Sequence, residues 1–182
     1  MFPQEKVLQE ILFLLTLSGG RLPLPILMSE LYLADCESIK ERDSSLSNDN
    51  YSSLQSGPIL SFTLNMLDRV SETEWGTVIE KKGNTIFLRE NVAPSFDLLS
   101  AKERGYLQIV FERLSNLSVE ELTAYLKNLP EWKIARKVGK KISFSDLMRA
   151  LGKDEKEILD AKKEHAFFSA LTHERSPSKT PA

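Results

Sequence analysis

Apolar positions recur at helical spacing along most of the chain, and the interruptions between them are built of turn residues. Val7–Ser18 is apolar nearly all round, which predicts a helix enclosed by others. Gly19-Gly20 stops it. Leu22–Arg42 predicts a longer second helix, with Ile26, Leu27, Leu31, Ala34 and Ile39 at helical spacing. Its regular part should start near Pro25, because Pro23 and Pro25 fit only a first turn. The polar stretch Asp43–Gln55 predicts a loop fastened to the core by Leu46 and Tyr51. Ser56-Gly57-Pro58 then predicts a tight turn, with Pro58 opening a third helix, Pro58–Val70. Trp75–Glu80 and Thr85–Arg89 read as the strands of a hairpin. Between them lies Lys81-Lys82-Gly83-Asn84, whose Gly and Asn supply positive φ angles.

The second half has a more explicit grammar. Ser100/Glu103, Ser118/Glu121 and Asp154/Glu157 each place a capping side chain three residues before a glutamate, so that two otherwise unpaired amides are satisfied reciprocally. They predict helices over Ala101–Leu114, Val119–Leu126 and Glu155–Ala170. Ser143 with Asp146 opens a shorter helix that ends at Gly152. Together these elements predict a mainly α fold with a small antiparallel β-hairpin (α+β). It forms one compact helical domain over residues 1–171 with a winged-helix-like amino-terminal half, and residues 172–182 form a flexible tail.

Composition narrows the function classes. Over 182 residues, 24 Lys+Arg against 26 Asp+Glu leave a net charge of −2, which argues against nucleic-acid binding by bulk positive field. The single cysteine, Cys36, excludes an intrachain disulfide. The two histidines, His165 and His173, are eight residues apart and poorly spaced for a shared metal. Val7–Leu17 is too short to span a bilayer, which takes about 20 apolar residues. The expectation is a cytoplasmic protein with no cofactor and no membrane contact.

A search for catalytic motifs returns nothing. There is no phosphate-cradling Gly-x-x-x-x-Gly-Lys, no His-Glu-x-x-His and no Gly-x-Ser-x-Gly. Cys36 sits between Asp35 and Glu37, whose negative charge makes a thiol less reactive. Those two carboxylates, two residues apart on a helix, point to different faces and form no dyad. Asp35 instead predicts a structural role, bonding backbone amides near Ser56–Pro58. Trp132 predicts a loop anchor whose indole N–H finds a carbonyl. A basic run, Lys133, Arg136, Lys137, Lys140 and Lys141, has no acid among its members. It reads as a patch for phosphates or for an acidic protein, or as a solvated lysine-rich loop.

Helix–helix–helix–hairpin order over Val7–Arg89 also opens a DNA-binding alternative. Yet Ile59–Thr63, at the start of the helix that would read the groove, offers no Arg, Lys, Asn or Gln. Lys81 and Lys82 at the hairpin tip are the residues placed to reach phosphate.

Several motifs, in order, resemble those of the Panacea domain of SocA-like antitoxins. They are Ile11–Leu15, Leu31-Tyr-Leu-Ala-Asp-Cys-Glu-Ser38, Asp49-Asn-Tyr51, Gly57-Pro-Ile-Leu-Ser61, Leu129-Pro-Glu-Trp132, Ile142–Asp146 and Leu147–Gly152. The resemblance spans residues 5 to 160 and departs from the family at Ser56, Leu126-Lys127 and Cys36. It implies a small, mainly helical, non-enzymatic protein that binds and neutralises a toxin encoded beside it, with a protease or chaperone as further partners. The motif positions it marks as candidates for partner contact are Tyr32, Asp35, Glu37, Tyr51, Gly57, Pro58, Ser61, Pro130 and Trp132.

Overall fold

The computed structural model describes residues 2–139 and 141–173, with residues 138 and 165–173 described through their backbone alone. Helix α1 (Gln4–Leu17) leads into a short strand, β1 (Arg21–Pro23), and then into the long helix α2 (Leu24–Arg42). A hairpin of β2 (Tyr51–Leu54) and β3 (Gly57–Leu60) precedes α3 (Ser61–Asp68). Two 3-10 turns (Val70–Glu72 and Glu74–Thr77) lead to a second hairpin, β4 (Ile79–Lys82) and β5 (Thr85–Leu88). The carboxy-terminal part runs α4 (Ala101–Leu114), α5 (Val119–Lys127), α6 (Pro130–Val138), β6 (Lys141–Ile142), α7 (Phe144–Ala150) and α8 (Glu155–His173). The architecture is mainly α with small antiparallel sheets.

Helix α2 is the axis of the fold. Every residue from Leu27 to Cys36 is buried, so the helix has no solvent face over that stretch. It packs against α1, α4, α5, α7 and β3. Leu27, Leu31 and Ile39 on α2 join Ile11, Leu14 and Leu15 of α1 and Leu107 and Val110 of α4 in one core. Each such side chain contributes about 1.5–3 kcal/mol on burial, an upper figure because the unfolded chain is itself partly collapsed.

Both sheets have three antiparallel strands. β1 adds to the β4–β5 hairpin in the order β1-β5-β4, with Leu22 opposite Ile86. The amino-terminal half therefore has the three helices and a hairpin, but the first hairpin strand is Ile79–Lys82 rather than Trp75–Glu80, since Trp75–Thr77 lie in a 3-10 turn, and Arg21–Pro23 adds a third strand ahead of α2. The second sheet, in the order β3-β2-β6, joins distant parts of the chain, since Tyr51 pairs with Leu60 on one side and Ile142 on the other.

The capping signals hold in detail. Ser100 and Ser118 each form a reciprocal capping box, and Asp154 exchanges amide contacts with Glu157 at 2.7 and 2.8 Å. Four expectations need correction. Residues 51–54 are a strand, because Tyr51 and Ser53 turn inward while Leu54 turns out. Pro58 does not open a helix. It lies opposite Ser53 in β3, an edge strand where its missing N–H costs no ladder bond, and α3 begins at Ser61. The basic run starts on a helix, α6, rather than in a loop, with Pro130 at its first turn. Finally, α8 continues through Thr172 and His173, which were expected in the tail; the remaining residues of that tail, like Lys140, lie outside the described residues.

Candidate functional site

The motif residues converge on a buried polar seam between α2, the loop after it, the β2–β3 hairpin and α6. Asp35, with no solvent exposure, is its centre. One carboxylate oxygen accepts from the amides of Leu46 at 2.7 Å and Ser47 at 2.9 Å. The other accepts from the Ser47 hydroxyl and, at 2.9 Å, from Tyr51 Oη. Asp35 thus fixes the start of the loop, residues 46–47, and not the Ser56–Pro58 turn expected from sequence. Burial raises the Asp35 carboxyl above its ordinary pKa, while these four donors pull it back towards the ionised form.

One turn earlier on α2, Tyr32 is fully buried and donates through its hydroxyl to Glu131 Oε1 at 2.7 Å. Its ring meets that of Tyr51 edge-on, with centroids 5.7 Å apart. Burial, with Cys36 and Glu131 close by, pushes the Tyr32 hydroxyl well above the usual phenol range. Next to Glu131, Trp132 donates its indole N–H to the Leu54 carbonyl at 2.8 Å, the kind of anchor predicted for it. Pro130, Glu131 and Trp132 therefore start α6 and lock it to both α2 and the hairpin.

Gly57 and Pro58 serve the hairpin. Gly57 has φ +143°, and a Cβ there would meet Leu126 Cβ of α5 at 2.9 Å. With Leu122 and Leu126 they line an apolar recess of about 130 Å³. That is below the roughly 300–1,000 Å³ of sites that enclose small ligands. Ser61 shares a 2.8 Å hydroxyl contact with Ser52 and donates its amide to the Asn50 carbonyl.

Glu37 does not join the seam. It faces α4, where Arg113 lies at 3.0 Å and Lys40 of its own helix at 3.2 Å. Desolvation opposes its ionisation, but the two cations outweigh this and hold its carboxyl below the usual range. Cys36 is buried, and burial together with Glu131 and Asp35 pushes its thiol well up, away from the reactive thiolate.

Besides Glu131, three buried carboxylates are absent from the candidate residues that the sequence singles out. Asp49 accepts from the amides of Phe62 at 2.9 Å and Thr63 at 2.8 Å, and from Thr63 Oγ1 at 2.7 Å. It caps α3 from outside the helix, which has no capping side chain of its own. Its position thirteen residues before Phe62 conceals this from local pattern rules. Glu10 on α1 and Glu30 on α2 are buried, each with one oxygen lacking a hydrogen-bond partner. Burial raises both, Glu30 to about 8; Glu10 is raised further by the nearby Asp35. The signal that could have found them is their position among apolar neighbours, Glu10 within Val7–Ser18 and Glu30 between Leu27 and Leu31.

The candidate cations sit differently. On the hairpin, Lys81 reaches Asp68 at 2.6 Å and Lys82 reaches Glu80 at 2.5 Å. Arg69 of the α3 carboxy-terminus is engaged by Glu72 at 2.7 Å. Lys133, Arg136 and Lys137 stand on the outer face of α6, and Lys141 opens β6; all four are exposed.

The segment that builds this arrangement carries a family signature. The profile of one family, described as "Antitoxin SocA-like, Panacea domain", matches residues 27–133, from the enclosed part of α2 to the first turn of α6. The chain belongs to that family. No curated protein and no solved structure matches it. The Panacea match begins and ends on elements tied together by the Tyr32–Glu131 contact, so the shared segment coincides with the seam. No helix among the described residues is long and apolar enough to cross a membrane.

Proposed function

We propose that this Panacea-domain protein is an antitoxin-type binding module that neutralises a cognate toxin protein by direct contact and catalyses no reaction itself. The family match over residues 27–133 carries this reading. The chemistry of the motif residues supports it. Tyr32, Asp35 and Tyr51 have their polar atoms engaged inside the fold, and the Trp132 indole N–H is taken up by the Leu54 carbonyl at its surface, so these residues serve the scaffold. Partner recognition then falls to the outer surface that the scaffold displays.

A transcriptional role through α3 is the weaker alternative. The amides opening α3 are capped by the negative Asp49, which disfavours a phosphate there, and the helix exposes Phe62. The cations of α3 and the hairpin are already paired with carboxylates of the same unit. Mixing the purified chain with the purified product of the adjacent gene tests the main reading. Co-elution as a complex in size-exclusion chromatography is the expected outcome, and separate elution at micromolar concentrations overturns it.

A further inference from the structure

Helix α6 presents a cationic face on which the fold makes no demand. At about 100° per residue, Arg136, Lys133, Lys137 and Ile134 lie side by side, opposite the buried Glu131 and Ala135. Elsewhere cations tend to be neutralised: Lys6 reaches Glu103 and Lys153 reaches Asp43, both at 2.6 Å. Among the described residues, no carboxylate lies within 4.0 Å of Lys133, Arg136, Lys137 or Lys141. Ile134, at the edge of this face, is 53% exposed, the most of any large hydrophobic residue described.

The helix is also held in advance of binding. Glu131 and Trp132 tie its first turn to Tyr32 and the Leu54 carbonyl, and the Arg136 guanidinium lies 6.0 Å from the Trp132 ring centroid. A face fixed in this way loses little conformational freedom when a partner docks. Apart from Lys133, this face lies beyond residue 133, where the family match ends.

Resting on the antitoxin reading above, we propose that the outer face of α6 receives an acidic segment of the toxin, with an apolar side chain of that segment packed on Ile134. Charge complementarity selects the partner's sign. The exposed isoleucine beside the cations, on a chain of net charge −2, favours a protein over a nucleic-acid backbone.

The test measures binding of the purified adjacent-gene product to the intact chain at about 50 and 300 mM salt, where screening differs strongly. The variants are Lys133→Glu/Lys137→Glu, Ile134→Asp and, as a charge control away from α6, Lys156→Glu. Melting curves first establish that each variant is folded. The double variant should bind at least about 30-fold more weakly at low salt, mainly through slower association, and Ile134→Asp about 10-fold more weakly through faster dissociation. Lys156→Glu should stay within about twofold. Wild-type binding with an unaffected double variant overturns the α6 inference and leaves the antitoxin reading standing. No wild-type complex overturns both. A double variant that keeps the toxin but loses affinity for a duplex from the upstream region also overturns it, in favour of nucleic acid.

Discussion

Tyr32 Oη donates to Glu131 Oε1 at 2.7 Å across 99 residues of sequence, and this bond is what places α6. Both residues are buried, so neither can turn to water if the other is removed. Tyr32→Phe leaves the Glu131 carboxylate without that donor and should cost about 1–3 kcal/mol. Glu131→Gln keeps an acceptor and should cost less. Urea denaturation followed by tryptophan fluorescence separates the two, and equal losses would show that the bond is not the source.

Asp35 organises the loop as an acceptor alone. Asp35→Asn keeps the shape but leaves one accepting oxygen where there are two, so the Leu46 and Ser47 amides and the Ser47 and Tyr51 hydroxyls can no longer all be accepted. The expected loss is about 2–4 kcal/mol. Hydrogen exchange should accelerate first at Leu46 and Ser47. Unchanged protection at those two amides would contradict the assignment.

At Gly57, a positive φ and the Leu126 side chain act together. Gly57→Ala would force a Cβ to within 2.9 Å of Leu126 Cβ in a backbone region that L-residues rarely adopt. A loss of about 2–4 kcal/mol is expected. Pairing it with Leu126→Ala should recover the steric part but not the backbone part, giving a measurable coupling in a double-mutant cycle.

The buried glutamates set a pH dependence of definite sign. Glu30 has its pKa raised from 4.5 to about 8 by burial, so the folded state holds a proton that the unfolded chain releases near pH 4.5. Its favourable contribution is therefore full below about pH 4.5 and is lost as pH rises through about 8. Glu10 shifts in the same direction. Glu37 and Glu103, both lowered, act below this window and stabilise as pH rises out of the acid range. The melting temperature should fall between pH 5 and pH 8, and Glu30→Gln should reduce the matching loss of unfolding free energy by about 1–3 kcal/mol. A wild-type melting temperature that rises across the same interval would contradict the burial of these groups in neutral form.

How much of this was legible in the sequence depends on distance along the chain. Helices opened by Ser100, Ser118 and Asp154 were readable because a cap acts on amides two or three residues away. The Trp132 anchor follows from residue chemistry, since an indole packed on the fold seeks an acceptor for its N–H. The family motifs carried the resemblance, and with it the expected partner class. What sequence did not disclose were contacts between distant segments. β6 pairs with β2 across some 90 residues, and Asp49 caps a helix that it does not begin. Pro58 was misplaced because Gly-Pro serves equally well before a helix and in an edge strand, and only the pairing with Ser53 decides. The helix beneath the basic run is not legible because its charges mask Glu131, Ala135 and the amphipathic period of α6.

Growth rescue tests the central claim most directly. Cells carrying the adjacent gene under an inducible promoter are grown with and without this chain supplied from a second plasmid. The expected result is arrest with the neighbour alone and restored growth when the two are co-expressed, with rescue reduced by Lys133→Glu/Lys137→Glu at equal protein level. Arrest that persists despite abundant, folded wild-type chain would contradict the account.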